Sequence, residues 1–322
     1  MEIIKTIMQK CTKAGKIIQI LLSTYNGEKY LREQLDSYIS LENFDHIKVL
    51  IRDDGSTDNT IKILEEYRQK YGFEVLKGKN VGVNKSVFEL FANCDLSCDY
   101  FALSDQDDVW LKNKFTIALN RLSRVDNKKP ALFASCSEIV DENLKPLGSS
   151  IVPSKGVSFY NAMIQNVAPG HTQVLNKALL LALMEKGIEN IHVVDGWIYL
   201  VAAGIGEVVF DNQFTVLHRQ HGKNSVGYEL NFLKSTINRL KRVFKNQSNI
   251  ISFQLKSFQK LYKGEITPEY KDELSLYLNS QQKVINRLEY VFKCKAYRQT
   301  FYETSIFKIL FILGRYNIDC LG

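Results

Sequence analysis

The sequence predicts an α/β fold in which helices cover both faces of a mostly parallel sheet, extended by a helical C-terminal region. Three observations support it. Short β-rich runs alternate with helical stretches four times from Lys16 onward, the rhythm of strand-helix-strand units. The runs read as buried strands, as expected where helices cover both sides of a sheet. From Asn231 helical patterns dominate, and Pro268 marks a break between segments.

Taken in order, Ile17 to Thr24 (IIQILLST) is a buried strand. Glu28 to Leu41 follows with Tyr30, Leu31, Leu35, Tyr38 and Ile39 at helical spacing. Ile47 to Asp54 is again strand-like, and Asp58 can cap a helix reaching Tyr71. Then come FEVL, a helix over Asn84 to Asn93, the strand YFALS, a helix over Lys112 to Leu122, and ALFASC. After Pro153 the rhythm loosens. Val174 to Met184 and Val193 to Ala203 read as helices, with Glu207 to Phe210 and Gln213 to His218 as two short strands.

Ligands of such sheets bind beyond the carboxyl ends of the strands. Thr24-Tyr25-Asn26, Asp53-Asp54-Gly55-Ser56 and Ser104 to Asp108 all follow strands, so the three are expected on one rim.

The chain has 322 residues, enough for about two domains. Its charge is uneven: residues 1–230 hold 26 Lys and Arg against 28 Asp and Glu, whereas residues 231–322 hold 16 against 7. Six scattered cysteines form no C-x-x-C unit and suit a reducing compartment. Met1 to Gly15 lacks the apolar segment of a secretory signal, and no apolar run reaches the ~18 residues of a membrane span. A cytoplasmic protein is expected.

Three constellations carry chemistry. A carboxylate at Asp53 or Asp54, just past a strand, can accept from a base N–H or a ribose hydroxyl, or simply hold a strand-to-helix turn. Asp105-x-Asp107 suits a hard divalent ion that takes its remaining ligands from water and substrate phosphates, where a solvated acidic turn is the alternative. Three acids directly after a buried strand call for a cation among them, because like charges this close resist ionising together. Downstream, VVDGW places Asp195 between apolar neighbours that would raise its pKa toward a general base, with a helix N-cap as the rival role. In LHRQHGKN, His221 could complete a metal shell and Arg219 could face phosphate. Trp110 reads as packing.

Together, LLSTYNGEKYLREQLDSY, IRDDGSTDNT, NVGVNKSVFEL, ALSDQDDVW, VVDGW and HRQHGKNSVG resemble, in order and spacing, family 2 inverting glycosyltransferases with the Rossmann-like GT-A fold. The bacterial rhamnosyltransferase-like branch is the most similar, and the match spans about Ile17 to Gly227. The resemblance implies a GT-A domain over 1–230, with a nucleotide-binding part over about 16–140 and an acceptor part over 141–230, followed by a basic helical region over 231–322. It further implies that Thr24, Tyr25 and Asp53 hold the nucleotide base with Asp54 nearby, and that Asp105 meets the ribose. Asp107 and His221 would bind Mg2+ or Mn2+ with the diphosphate, and Asp195 would be the base. The implied donor is a nucleotide sugar, dTDP-L-rhamnose in this branch, and the acceptor a cell-surface glycan or lipid-linked oligosaccharide. Two departures stand out: Val194 occupies a position where relatives of this branch often carry His, although His192 is near, and His171 stands where a small residue is expected.

Phe232 to Gln247 (FLKSTINRLKRVFKNQ) reads as a basic amphipathic helix, which could lie on an anionic membrane or pack on the catalytic domain. Nucleic acid is not an expected partner, because the tail's aromatics fall on the apolar stripe and no reading helix or zinc spacing is present. Rival functions are a nucleotidyltransferase using similar paired carboxylates and a non-catalytic sugar-binding protein of the same fold.

Overall fold

The computed structural model describes residues 15–187, 191–221 and 249–317. The first half builds β1 (Ile18–Thr24), α1 (Leu31–Ile39), β2 (Ile47–Asp53), α2 (Thr60–Tyr71), β3 (Glu74–Lys77), α3 (Val83–Asn93), β4 (Tyr100–Ser104), β5 (Val109–Trp110) and α4 (Lys114–Leu122). It continues through β6 (Ala131–Val140), β7 (Pro146–Ser149), α5 (Phe159–Ala162), β8 (Val174–Asn176), α6 (Lys177–Lys186), α7 (Val194–Ile205) and β9 (Glu207–Arg219). Four helices close the described chain: α8 (Asn249–Tyr262), α9 (Pro268–Asn279), α10 (Val284–Lys293) and α11 (Phe301–Ile312).

Among the described residues the strands form one sheet in the order β3-β2-β1-β4-β8-β6-β9-β5, with β7 on the side of β6. The β3-β2-β1-β4 half is parallel. The apolar runs make sense there because both faces are covered. Ile20 and Leu22 of β1 point into a core with Leu35 and Tyr38 of α1 and Leu64 of α2. Leu21 points the other way, into a core with Leu90 of α3 and Trp197 of α7.

Two expectations are corrected beyond this half. Val174 to Asn176 is a strand and not the start of a helix: it runs antiparallel between β4 and β6, and the helix begins at Lys177 once the Asn176 side chain accepts from Leu179 N. Three residues are too few to show a strand period. Glu207 to Arg219 is one long strand, parallel to β6, whose register shifts twice between Asp211 and Leu217. Those bulges interrupt the alternation that sequence reading takes as a strand end.

The C-terminal helices share the second core. The Phe258 ring of α8 lies 5.5 Å from Phe159 and 6.2 Å from Trp197, and Tyr290 of α10 packs 4.4 Å from Phe311 of α11. Pro268 does begin a new helix, with the Thr267 side chain accepting from Tyr270 N at the cap. The basic stretch Phe232 to Gln247 lies outside the described residues. Among those described, no helix is long and apolar enough to cross a membrane.

Candidate active site

The carboxyl ends of β1, β2 and β4 place Thr24, Asp53 and Ser104 on one rim, with Thr24 and Asp53 opposite each other in register. Thr24 Oγ1 donates to Asp53 Oδ1 (3.1 Å). Asp53 also accepts from Gly55 N, Ser56 N and Ser56 Oγ at 3.1, 2.8 and 2.6 Å, which takes up about the four lone-pair sites of a carboxylate. Gly55 makes the turn in the left-handed region, at φ +82°. Asp54 is buried in a 2.5 Å ion pair with Arg52 and accepts from Val81 N and Gly82 N, both at 2.9 Å. It thereby fastens the NVG loop. Asp58, read as a cap, accepts from Thr60 N (3.0 Å) at the start of α2.

Tyr25 stands exposed above this floor, 47% open. Gln106, the residue between the paired acids, grips its backbone from both sides: Tyr25 N donates to Gln106 Oε1 (2.9 Å) and Gln106 Nε2 donates to Tyr25 O (3.0 Å). Gln106 thus joins the β1 and β4 loops, a role that only the tertiary pairing reveals.

The three acids after β4 point to different partners. Asp105 opens onto the cleft with its side chain 52% exposed, yet the protein mass around it raises its carboxyl above the ordinary value, opposed by the charge of His218. Asp107 Oδ2 lies 2.8 Å from His221 Nε2. Burial first, then repulsion from Asp108 and Asp105, pushes Asp107 up to about 6, although His221 pulls it down. Asp108 is wholly buried, and its Oδ1 faces His218 Nδ1 (2.9 Å) and accepts from Arg219 N (3.0 Å). Burial lowers His218, but the Asp108 carboxylate more than reverses this and its net shift is upward. The nearest partner of Asp108 is therefore an imidazole.

An oxygen and an imidazole nitrogen facing each other beside further carboxylates fit a divalent cation, since burial and the neighbouring Asp108 and Asp105 still hold Asp107 up with His221 beside it. The His221 ring is steadied by stacking on Tyr30 at 4.9 Å.

Arg219 does not face the cleft. It is 1% exposed, and its guanidinium donates to Asp107 O (2.9 Å), Glu142 O (2.5 Å) and Glu33 Oε2 (2.7 Å) while lying 4.5 Å over the Tyr30 ring. Strand alternation accounts for this, because the residue next to an outward His218 must point to the opposite side.

Asp195 lies inside the first turn of α7, one residue past its start, and Val193 is the capping position. Its carboxylate accepts from Gly196 N (2.7 Å) and Gly170 N (3.1 Å). Burial raises it, and those two amides together with the Asn166 side chain oppose the rise. Gly170 leads directly into His171, whose Nδ1 is 3.6 Å from Asp105 Oδ2, so the putting-together of Asp195 with the acid rim runs through this turn. Asn84, at the start of α3, holds the Asp195 turn from the other side: Nδ2 donates to His192 O (2.9 Å) and Val194 N donates to Oδ1 (3.2 Å). Val194 is buried, and His192 contributes its carbonyl to this contact. The NVGVN segment thus supports the VVDGW segment.

The family model described as glycosyl transferase family 2 matches residues 19–135. A dTDP-rhamnosyl transferase of Shigella flexneri, RfbG, is 33% identical over 225 residues, covering 66% of this chain and 75% of that protein. An uncharacterized glycosyltransferase of Rickettsia prowazekii is 21% identical over 329 residues, covering 94% and 93%. Among solved structures, S. aureus TarS 1-349 superposes with a TM-score of 0.55 at 15% identity, covering 94% of this chain and 81% of that one. A mannosyltransferase of Pyrobaculum calidifontis, in complex with GDP-Man and Mn2+, gives 0.53 at 14%, covering 85% and 71%. These likenesses show the GT-A fold, and the identity with the Shigella protein over three-quarters of its length shows that the chain belongs to glycosyltransferase family 2.

Proposed function

We propose that this glycosyltransferase moves L-rhamnose from dTDP-L-rhamnose to a hydroxyl of a cell-surface polysaccharide or lipid-linked oligosaccharide, with inversion at the anomeric carbon. The carrying observation is Asp195: a carboxylate raised by burial, fixed by two backbone amides and joined through the Gly170-His171 turn to the acid rim. Such a group can accept the acceptor's proton as its oxygen attacks, while the nucleoside diphosphate departs from the opposite face. The nucleotide would lie over Tyr25, on a floor held by Thr24, Asp53 and Asp54, with the ribose toward Asp105. Asp107 and His221 would hold Mg2+ or Mn2+, which when bound neutralises charge developing on the leaving diphosphate. The rhamnose assignment rests on the likeness to the Shigella dTDP-rhamnosyl transferase.

Attachment to an anionic membrane belongs to the same reading. On α10 and at the start of α11, Ile285, Phe292 and Phe301 are 68%, 87% and 84% exposed, in a C-terminal region rich in Lys and Arg. Apolar side chains amid basic charge suit a lipid surface bearing the acceptor.

A panel of nucleotide sugars, with and without chelator, tests the proposal. Metal-dependent release of dTDP from dTDP-L-rhamnose is expected, and Asp107→Ala should abolish the metal-dependent part of donor affinity. Pyrophosphate as the product would favour a nucleotidyltransferase, and binding of every donor without turnover a sugar-binding protein.

A further inference from the structure

We propose, on the reading of Asp195 as the base, that Lys114 is a positioning residue for the sugar transfer: its buried amine ties the Gly170–Thr172 turn, and with it the Asp195 carboxylate, to the segment that carries Asp105 and Asp107. Lys114 is the first residue of α4, shortly after β5, and it is wholly buried. Its Nζ donates to His171 O (2.9 Å) and lies 4.4 Å over the Trp110 ring. His171 is the middle residue of the 3-10 turn Gly170–Thr172.

A lysine is a poor choice for this place if packing is all that is needed. Taking its charge out of water is costly, and the amino-terminal end of a helix disfavours a cation. Burial accordingly lowers the Lys114 amine to about 7, with the charge of Asp108 opposing. Met or Leu would fill the space without either cost. What the amine supplies, and they could not, is a donor to the His171 carbonyl, and an amine donates whether charged or neutral.

The turn is held from several sides. Toward α7, the buried Gln173 side chain donates from Nε2 to Ala168 O (2.7 Å) and Asp195 O (2.9 Å), and Gly170 N donates to Asp195 Oδ2 (3.1 Å). At its end the turn meets the sheet, where Leu103 N of β4 donates to Gln173 O (3.2 Å). Its middle is fixed by Lys114 through the His171 carbonyl, while the His171 ring stacks on His218 at 4.2 Å, 8° from coplanar. The lysine's own end is firm: Lys114 N donates to Leu111 O and Leu111 N to Thr215 O of β9, both at 3.0 Å. Contacts therefore run from the acid loop through β5 and Lys114 to His171, Gly170 and the Asp195 carboxylate. They set the distance between the group that takes the acceptor's proton and the groups that hold the donor. In-line displacement depends on that distance, since a misplacement of about 1 Å can cost about 10²-fold in rate.

Lys114→Met keeps the length of the side chain and removes the donor. In the full chain it should lower kcat by about 10- to 100-fold, with the donor KM and the calorimetric affinity for dTDP near the parent values, because Thr24, Asp53 and Asp107 keep their own partners. Hydrogen exchange read by mass spectrometry should quicken in peptides spanning the Gly170–Thr172 turn and stay unchanged in β1 and β2. Lys114→Gln, smaller and too short to reach His171 O, supplies the same comparison where Lys114→Met does not fold. Parent-like kcat, or parent-like exchange in the turn, would overturn the proposal, and so would a loss of dTDP affinity matching the loss of kcat, which would put Lys114 at the donor. A wild-type chain that binds dTDP-L-rhamnose without turnover would count against the reading of Asp195 instead, and the exchange comparison would still decide whether Lys114 holds the turn.

Discussion

Replacing Arg219 separates a brace from a phosphate ligand. Its guanidinium bridges two backbone carbonyls, of Asp107 and Glu142, and reaches Glu33 while lying over Tyr30. The Glu33 side chain is 49% exposed, so that ion pair is screened and adds little. The two part-buried bonds to backbone carbonyls are the main contribution, and at about 1.5–3 kcal/mol for each hydrogen bond to a charged group their loss comes to about 3–5 kcal/mol. Arg219→Ala should therefore lower the melting temperature by about 6–20 °C, at about 2–4 °C per kcal/mol for a large domain. Arg219→Lys keeps the charge, but one ammonium cannot span all three acceptors, and a loss on the order of 2 kcal/mol is expected. Thermal unfolding of the full chain, paired with calorimetric binding of dTDP well below the transition, measures both consequences. If Arg219→Ala melts like the parent while dTDP affinity collapses, the brace is wrong and the arginine meets phosphate.

Further outcomes follow from the same geometry. Asp195→Asn should bind donor normally and lose about 10²–10⁴ in turnover; full activity would remove Asp195 from its role. Because burial holds the Asp195 carboxyl above its ordinary 3.8, the rate should fall as pH drops through that raised value, and an acid limb lying below 3.8 in the pH-rate profile would contradict the base assignment. Asn84→Ala frees the turn at His192 and Val194 and should lower kcat while leaving the donor KM near the parent value; a change confined to KM would place Asn84 at the donor instead. The double substitution Phe292→Ser and Phe301→Ser should release the chain from anionic vesicles in a sedimentation assay, and undiminished binding would locate the contact elsewhere.

The strand-helix alternation was legible because each core strand is an unbroken apolar run flanked by turn residues, and the rim followed from where those runs end. Asp107 and His221 were brought together as the sequence resemblance implied, at 2.8 Å. What stayed hidden depends on pairing. Gln106, Asn84 and the Asp108-His218 contact join segments 81 to 110 positions apart, and no local pattern encodes such partners. The surroundings of Arg219 were hidden for the same reason: a lone arginine beside two histidines looks the same in sequence whether it faces a cleft or a set of backbone carbonyls. His171 drew notice only as a bulky residue where a small one was expected, and that mismatch was the one available sign of the stacked imidazoles. Val174 to Asn176 escaped because a three-residue strand followed at once by a helix carries the helix's periodicity.

The bulged course of β9 has a consequence for how this enzyme can vary. Beyond its shifts in register, the strand sends His218 toward Asp108 and, from the other side, Arg219 toward Glu142, with His221 following two residues later to meet Asp107. Asp211 to Leu217 runs against only Ser135 to Glu138 of β6, so the bulges already absorb extra residues there. A relative whose length changes within that stretch should keep the two sides as they are, whereas a single deletion beyond Leu217 would exchange them and bring a guanidinium into the space of an imidazole.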